Sequence, residues 1–100
     1  MTNTTIPNTD RGTILADANA AINGPRARDY GDARDNFGRT AQMWSAYKGI
    51  EFTATDVAAL LALLKVSRLA NTPNHQDSWV DLVGYAALGG EVAQLEARDE

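Results

Sequence analysis

The sequence predicts an all-α protein of about four helices in a compact antiparallel bundle. Three observations lead there. Apolar residues recur at spacings of three and four, the period of one helix face. Good N-cap residues and strong stop signals cut the chain into helix-length pieces. No run shows the apolar–polar alternation of a half-buried strand.

The first helix is expected to start near Asp10, whose carboxylate suits an N-cap. It runs through TILADANAAI with a stripe of Ile14, Leu15, Ala18 and Ile22, and stops at Asn23-Gly24-Pro25. PRARDYG then serves as a connection. The second helix begins at about Asp32, puts Phe37, Ala41, Trp44 and Tyr47 on one face, and ends at Gly49. The third opens with Thr53-Ala-Thr-Asp56, a capping box with Asp in place of the usual Glu. It continues to about Asn71, before Pro73. Apolar residues surround most of its wheel, so it is expected to be buried on several sides. The fourth spans about Gln76 to Arg98. Gly84, Gly89 and Gly90 interrupt it, each costing up to ~1 kcal/mol against Ala. They imply close helix approach or a bend near Gly89-Gly90.

One hundred residues hold one core. Residues 10–98 form the expected domain, and residues 1–9, rich in Asn and Thr, a flexible tail. The net charge of −4 argues against duplex nucleic acid, which needs a basic face. A small phosphorylated ligand needs only a local cationic cluster. The chain has no cysteine, so disulfides and thiolate zinc sites are excluded. The polar MTNTTIPNTD start does not read as a signal peptide. Val57–Val66 is about half the length that spans a bilayer and contains Lys65. No membrane association and a cytoplasmic location are expected.

The stretch HQDSWVDLVGYAAL raises the functional question. As a helix it sets Asp77, Asp81 and Tyr85 in one line, each four residues from the next. Trp79, Val83 and Ala86 form a separate apolar face. Lys65 and Arg68 sit late in the apolar third helix, and cations there need partners. In a hairpin of the third and fourth helices, Asp77 and Asp81 lie opposite them. The plain interpretation is a set of internal ion pairs. The functional one is a site: Asp77 and Asp81 on a hard cation such as Mg²⁺, with Lys65 and Arg68 on phosphate. Asp29 and Asp32, in RDYGD, are a second carboxylate pair able to close such a site. Tyr30, in a turn, is a candidate to stack on a base or to cap the core. Arg26, Arg28, Arg34 and Arg39 make the most basic local stretch, with Arg28 and Tyr85 as further ligand contacts. Phe37, Trp44 and Trp79 are expected in the core. His75, the lone histidine, falls in a loop, and nothing positions a nucleophilic triad around Ser67 or Ser78.

DYGDARDNFGRTAQMW, DVAALLALLKVSRLA and HQDSWVDLVGYAAL, in that order, resemble a family of small phage and prophage proteins of MazG-like type. The resemblance covers about residues 10–95. It implies an all-α nucleoside triphosphate pyrophosphatase that binds Mg²⁺ through acidic residues on neighbouring helices. It also implies cleavage between the α and β phosphates, and assembly as a homo-oligomer. The family pattern is a Glu-x-x-Glu pair followed by Glu-x-x-Asp. Here Asp29-x-x-Asp32 and Asp77-x-x-x-Asp81 stand in those places, with shorter carboxylates and one altered spacing. Three functions follow. The first is a Mg²⁺-dependent pyrophosphohydrolase, with Lys65 and Arg68 stabilising developing charge. The second is a non-catalytic nucleotide binder that sequesters a host-defence signal. The third is a structural or partner-binding protein whose charges serve only as ion pairs.

Overall fold

A computed structural model describes residues 10–25 and 31–99. Among them are four helices and no strand. They are α1 (Arg11–Asn23), α2 (Ala33–Lys48), α3 (Ala54–Asn71) and α4 (Gln76–Arg98). The expected tail, and Arg26, Arg28, Asp29 and Tyr30 of the expected connection, lie outside the described residues. None of the described helices is long and apolar enough to cross a membrane.

The boundaries fall where local chemistry puts them. The Asp10 carboxylate accepts the Thr13 N–H at 2.7 Å and caps α1. Asp32 accepts from the Arg34 and Asp35 N–H groups at 2.8 and 3.4 Å and caps α2. At the other end Gly49 takes a left-handed φ of 71°, which releases α2 into the turn. Ser45 holds that turn: its hydroxyl donates to the Ala41 carbonyl and accepts the Phe52 N–H. Thr53 and Asp56 form the reciprocal capping box of α3. Each cap contributes about 1 kcal/mol.

The helix starting at Gln76 is capped by an unexpected residue. His75 Nδ1 accepts the Ser78 N–H at 3.3 Å and lies 2.7 Å from the Ser78 hydroxyl. Ser78 is fully buried, so the imidazole also satisfies a hydroxyl that water does not reach. The lone histidine thus has a structural task. Beside it the Trp79 indole N–H donates to the Pro73 carbonyl at 2.8 Å. Trp79 was expected in the core; it is instead partly exposed, laid over the hairpin connection.

The central unit is the α3–α4 hairpin, joined by residues 72–75. It is the most extensive helix pair; α1 packs on α4, and α2 packs mainly on α3. The core joins Phe37 and Ala41 of α2 to Ala54, Val57 and Ala58 of α3 and Val92 of α4. Trp44 and Phe52 close its end edge to face, ring centres 6.0 Å apart. At the far end of the hairpin the Glu96 carboxylate accepts the N–H of Thr55 at 3.2 Å, and also its hydroxyl. This satisfies free donors of the first turn of α3. Arg34, at the start of α2, pairs with Asp99 just beyond α4.

Two expectations change, and of close approach or a bend at the α4 glycines the structure takes the first. α4 runs through Gly84, Gly89 and Gly90 without interruption. Gly84 and Gly89 serve close approach: a Cβ on Gly84 meets Ile22 Cγ2 at 3.2 Å, and one on Gly89 meets Ala58 Cβ at 3.0 Å. Tyr47 is 87% exposed, because its wheel position drifts away from Phe37, Ala41 and Trp44 as α2 proceeds. The inward face of α4 also differs. Val80, Gly84 and Val92 are buried there, while Ala86 of the expected apolar face is exposed.

Replacing His75 with Ala removes the cap and leaves the Ser78 hydroxyl without its partner. Together these are expected to destabilise by about 2 kcal/mol. His75→Asp, which restores an acceptor, is expected to recover most of the loss in a chemical denaturation series. The α1 cap carries a pH signature. Hydrogen bonds from the Thr13 backbone N–H, and then its hydroxyl, hold the Asp10 carboxyl below its ordinary 3.8. The cap is therefore complete above that value and is lost as pH falls through the lower folded-state value. NMR of the Thr13 amide during acid titration is expected to show α1 fraying from its N-terminus in that window.

Candidate functional site

α1 leans on α4 and α2 on α3, and α1 and α2 do not form an extensive packed pair. The gap between them is an open cleft of about 870 Å³ over the inward face of α4. Small-molecule sites commonly fall near this size. Its apolar surface comes from Phe37, Leu61, Val80 and Leu88. Polar groups enter from three helices: Asn23 at the end of α1, Asn36 and Thr40 on α2, and Asp81, Tyr85 and Glu91 on α4. Gly31, with a φ of 77°, brings the chain to the cleft in a left-handed turn.

Some of these groups are already engaged. The Asn23 amide donates to Asn19 at 2.8 Å, and the Thr40 hydroxyl donates to the Asn36 carbonyl at 3.1 Å. Asp81 Oδ2 lies 2.9 Å from Lys65 Nζ. The Lys65 side chain is 13% exposed and that of Asp81 43%, so the ammonium is nearly enclosed while the carboxylate faces the cleft. An ammonium has three donors, and this contact uses one.

The charges named from sequence thus divide. Lys65 and Asp81 form the expected cross-hairpin pair. Asp81 and Tyr85 line the cleft together, as positions four apart on one helix should. Arg68 and Asp77 are both exposed, and among the described residues they form no ion pair. Arg68 instead borders a smaller open pocket of about 400 Å³ at the hairpin connection, with Asn71, Thr72 and His75. Asp32 is occupied as the α2 cap. Among the described residues no three His, Cys, Asp or Glu side chains gather as a metal group. Asp29, Tyr30 and Arg28 lie outside the described residues.

Asn36, Thr40, Glu91 and, beyond its part in the α1 stop, Asn23 are cleft residues not singled out from the sequence. A signal for the first two was present: they flank the Phe37–Ala41 stripe of α2 at the same spacing of four. Glu91 has no such signal, because it adjoins Gly90 and Val92 on a helix whose inward face was misassigned.

The fold and cleft define a small all-helical protein with a mixed apolar and polar groove. Residues 13–93 match the family described as Domain of unknown function (DUF6378), and the chain belongs to that family. It is 51% identical over 76 residues to the "Gene 55 protein" of Mycobacterium phage L5, covering 75% of this chain and 49% of that protein. It is 41% identical over 73 residues to the "Gene 55 protein" of Mycobacterium phage D29, covering 73% and 48%. The chain spans about half the length of these curated relatives. No solved structure matches.

The Lys65–Asp81 pair makes an asymmetric prediction. Asp81→Ala leaves an enclosed ammonium unpaired; with Asp81 partly solvated, the loss is expected at about 1–2 kcal/mol. Lys65→Met keeps the stem packing and frees a carboxylate that water can reach, so its melting temperature is expected to stay within a few degrees of wild type. Equal losses in the two variants would show that enclosure of Lys65 does not govern the pair.

Proposed function

We propose that this phage-family helical protein binds a nucleotide or similar small phosphorylated ligand in the cleft without cleaving it. The observation that carries this reading is the cleft's composition. A flat apolar group fits against Phe37, Leu61 and Tyr85, and a base edge can bond to Asn36. Lys65 does not itself line the cleft, but it is paired to Asp81, which does, and its ammonium has two donors beyond that contact. Sequestration of a host-defence nucleotide is one use of such binding.

A second reading keeps one specific observation, the Asp81 carboxylate presented to the cleft. It is the Mg²⁺-dependent nucleoside triphosphate pyrophosphohydrolase implied by the MazG-like resemblance. Asp77, Asp81, Asp29 and Asp32 would hold the metal, and Lys65 and Arg68 the phosphates. Among the described residues no three carboxylates gather as a metal group, Asp32 already caps a helix and Asp81 is paired to Lys65. This favours the binder over the hydrolase.

The test is thermal melting against nucleoside triphosphates and cyclic nucleotides, in Mg²⁺ and in EDTA, with pyrophosphate assayed in the same samples. A ligand at ~100 times its dissociation constant adds about 2.7 kcal/mol. For a chain this size that is a rise of roughly ten degrees or more. The expected result is a rise that persists in EDTA, is reduced in Lys65→Met, and brings no pyrophosphate. Pyrophosphate release that EDTA abolishes would move the assignment to the hydrolase. No rise with any member of the panel would leave Lys65 and Asp81 as a structural pair.

A further inference from the structure

The connection between α3 and α4 is held from both sides. The Thr72 N–H donates to the Arg68 carbonyl at 3.0 Å, and the Thr72 carbonyl accepts the His75 N–H at 3.1 Å. His75 Nδ1 accepts the Ser78 N–H, and the Trp79 indole donates to the Pro73 carbonyl. These bonds fix one wall of the open pocket of about 400 Å³ at the hairpin connection. Ser67, Arg68, Asn71, Thr72, His75 and Ser78 line it. All six are polar, and none is a carboxylate. In a chain with 13 acidic and 9 basic residues, that absence leaves a local excess of positive charge at Arg68.

The groups left over in the pocket are donors. The Arg68 guanidinium presents its N–H groups in a planar fork, and among the described residues it forms no ion pair. His75 Nδ1 is an acceptor, so the neutral ring carries its proton on Nε2, which is a second donor. Thr72 Oγ1 accepts from the Asn71 amide at 3.2 Å, which leaves its hydroxyl proton to give. Ser78 is fully buried and engaged with His75, so it holds the ring in place. Donors thus come from the end of α3, the connection and the start of α4. One fixed cation with neutral donors beside it suits an oxyanion. A phosphate offers oxygens on every side, and a guanidinium takes two of them at once. A halide cannot use the fork in that way.

We infer that this pocket is a phosphate-binding site, with Arg68 as its cation and Thr72 and His75 as hydrogen-bond donors. Its ligand is free phosphate or the phosphate end of a small molecule. The pocket shares no lining residue with the cleft, so the inference stands apart from the nucleotide reading. It also gives Arg68 a task separate from that of Lys65, whose ammonium is turned to Asp81.

The test is proton–nitrogen NMR of the full chain, titrated with sodium phosphate at constant ionic strength. Sodium chloride is the control, and glycerol phosphate is a second probe. Saturating shifts are expected at the Arg68 Nε–H and at the Thr72 and His75 amides, with none at Asp81 and Tyr85 of the cleft. Tighter binding of glycerol phosphate would support the site and identify its ligand as a phosphate ester; tighter binding of inorganic phosphate would support it with the free ion as ligand. Arg68 is exposed, so its variants are expected to fold. Arg68→Gln is expected to weaken phosphate binding by roughly tenfold. Arg68→Lys keeps the charge but loses the fork, and is expected to fall between Arg68→Gln and wild type. Shifts that chloride reproduces overturn the inference. So does the absence of saturation, or an affinity unchanged in Arg68→Gln.

Discussion

The arrangement depends on how closely helices approach α4. Gly89 lets Ala58 of α3 come to a distance at which even a methyl group is crowded, and Gly84 does the same for Ile22 of α1. Two glycines weaken a helix in isolation by roughly 1 kcal/mol each. Close packing of α1 and α3 offsets that, since dispersion contacts fall away steeply with separation. The core this allows is made of small groups: Val57 and Val92 are its largest completely enclosed apolar side chains. Such a core is thin. It leaves the fold reliant on its polar fasteners, namely His75 on Ser78, Glu96 on Thr55, and Lys65 on Asp81.

The same constraint creates the cleft. α1 and α3 seat on α4 at different glycines, and α2 seats mainly on α3. Nothing then draws α1 and α2 together over the upper part of α4. The space between them inherits whatever α4 presents on its inward face. That face includes Asp81 and Tyr85 because they alternate with Val80, Gly84 and Leu88 around the same side of the helix. Lys65 compensates Asp81 across the hairpin. Glu91, further along, has no ion-pair partner among the described residues.

Helix boundaries were legible in the sequence because caps are local. Asp10, Asp32, Thr53 and Gly49 act on groups within a few residues, so no knowledge of the fold is needed to place them. Faces were less legible. On α4, Trp79, Val83 and Ala86 look apolar, and the glycines alone leave close approach and a bend both open. Only packing reveals that the glycine side is the inner one. Tyr47 and Trp79 misled for a related reason: an aromatic ring can cover a turn or lie open as readily as fill a core. In the site, the Lys65–Asp81 pair was foreseeable, since a cation in an apolar helix requires a carboxylate. Arg68 and Asp77 needed no pairing because water reaches both.

The apolar excess of α3 carries two meanings that composition alone merges. A helix apolar all round is expected to be enclosed, and within one chain this one is not. One side builds the hairpin and, through Leu61, the cleft. On the other side Leu60, Leu63 and Leu64 stay exposed among the described residues. A core this thin gains from covering that side, because apolar area removed from water adds about 25 cal/mol per Å². A small chain has few other ways to enlarge what it buries. The open stripe thus reflects the same shortage of core that makes the glycine contacts and polar fasteners necessary.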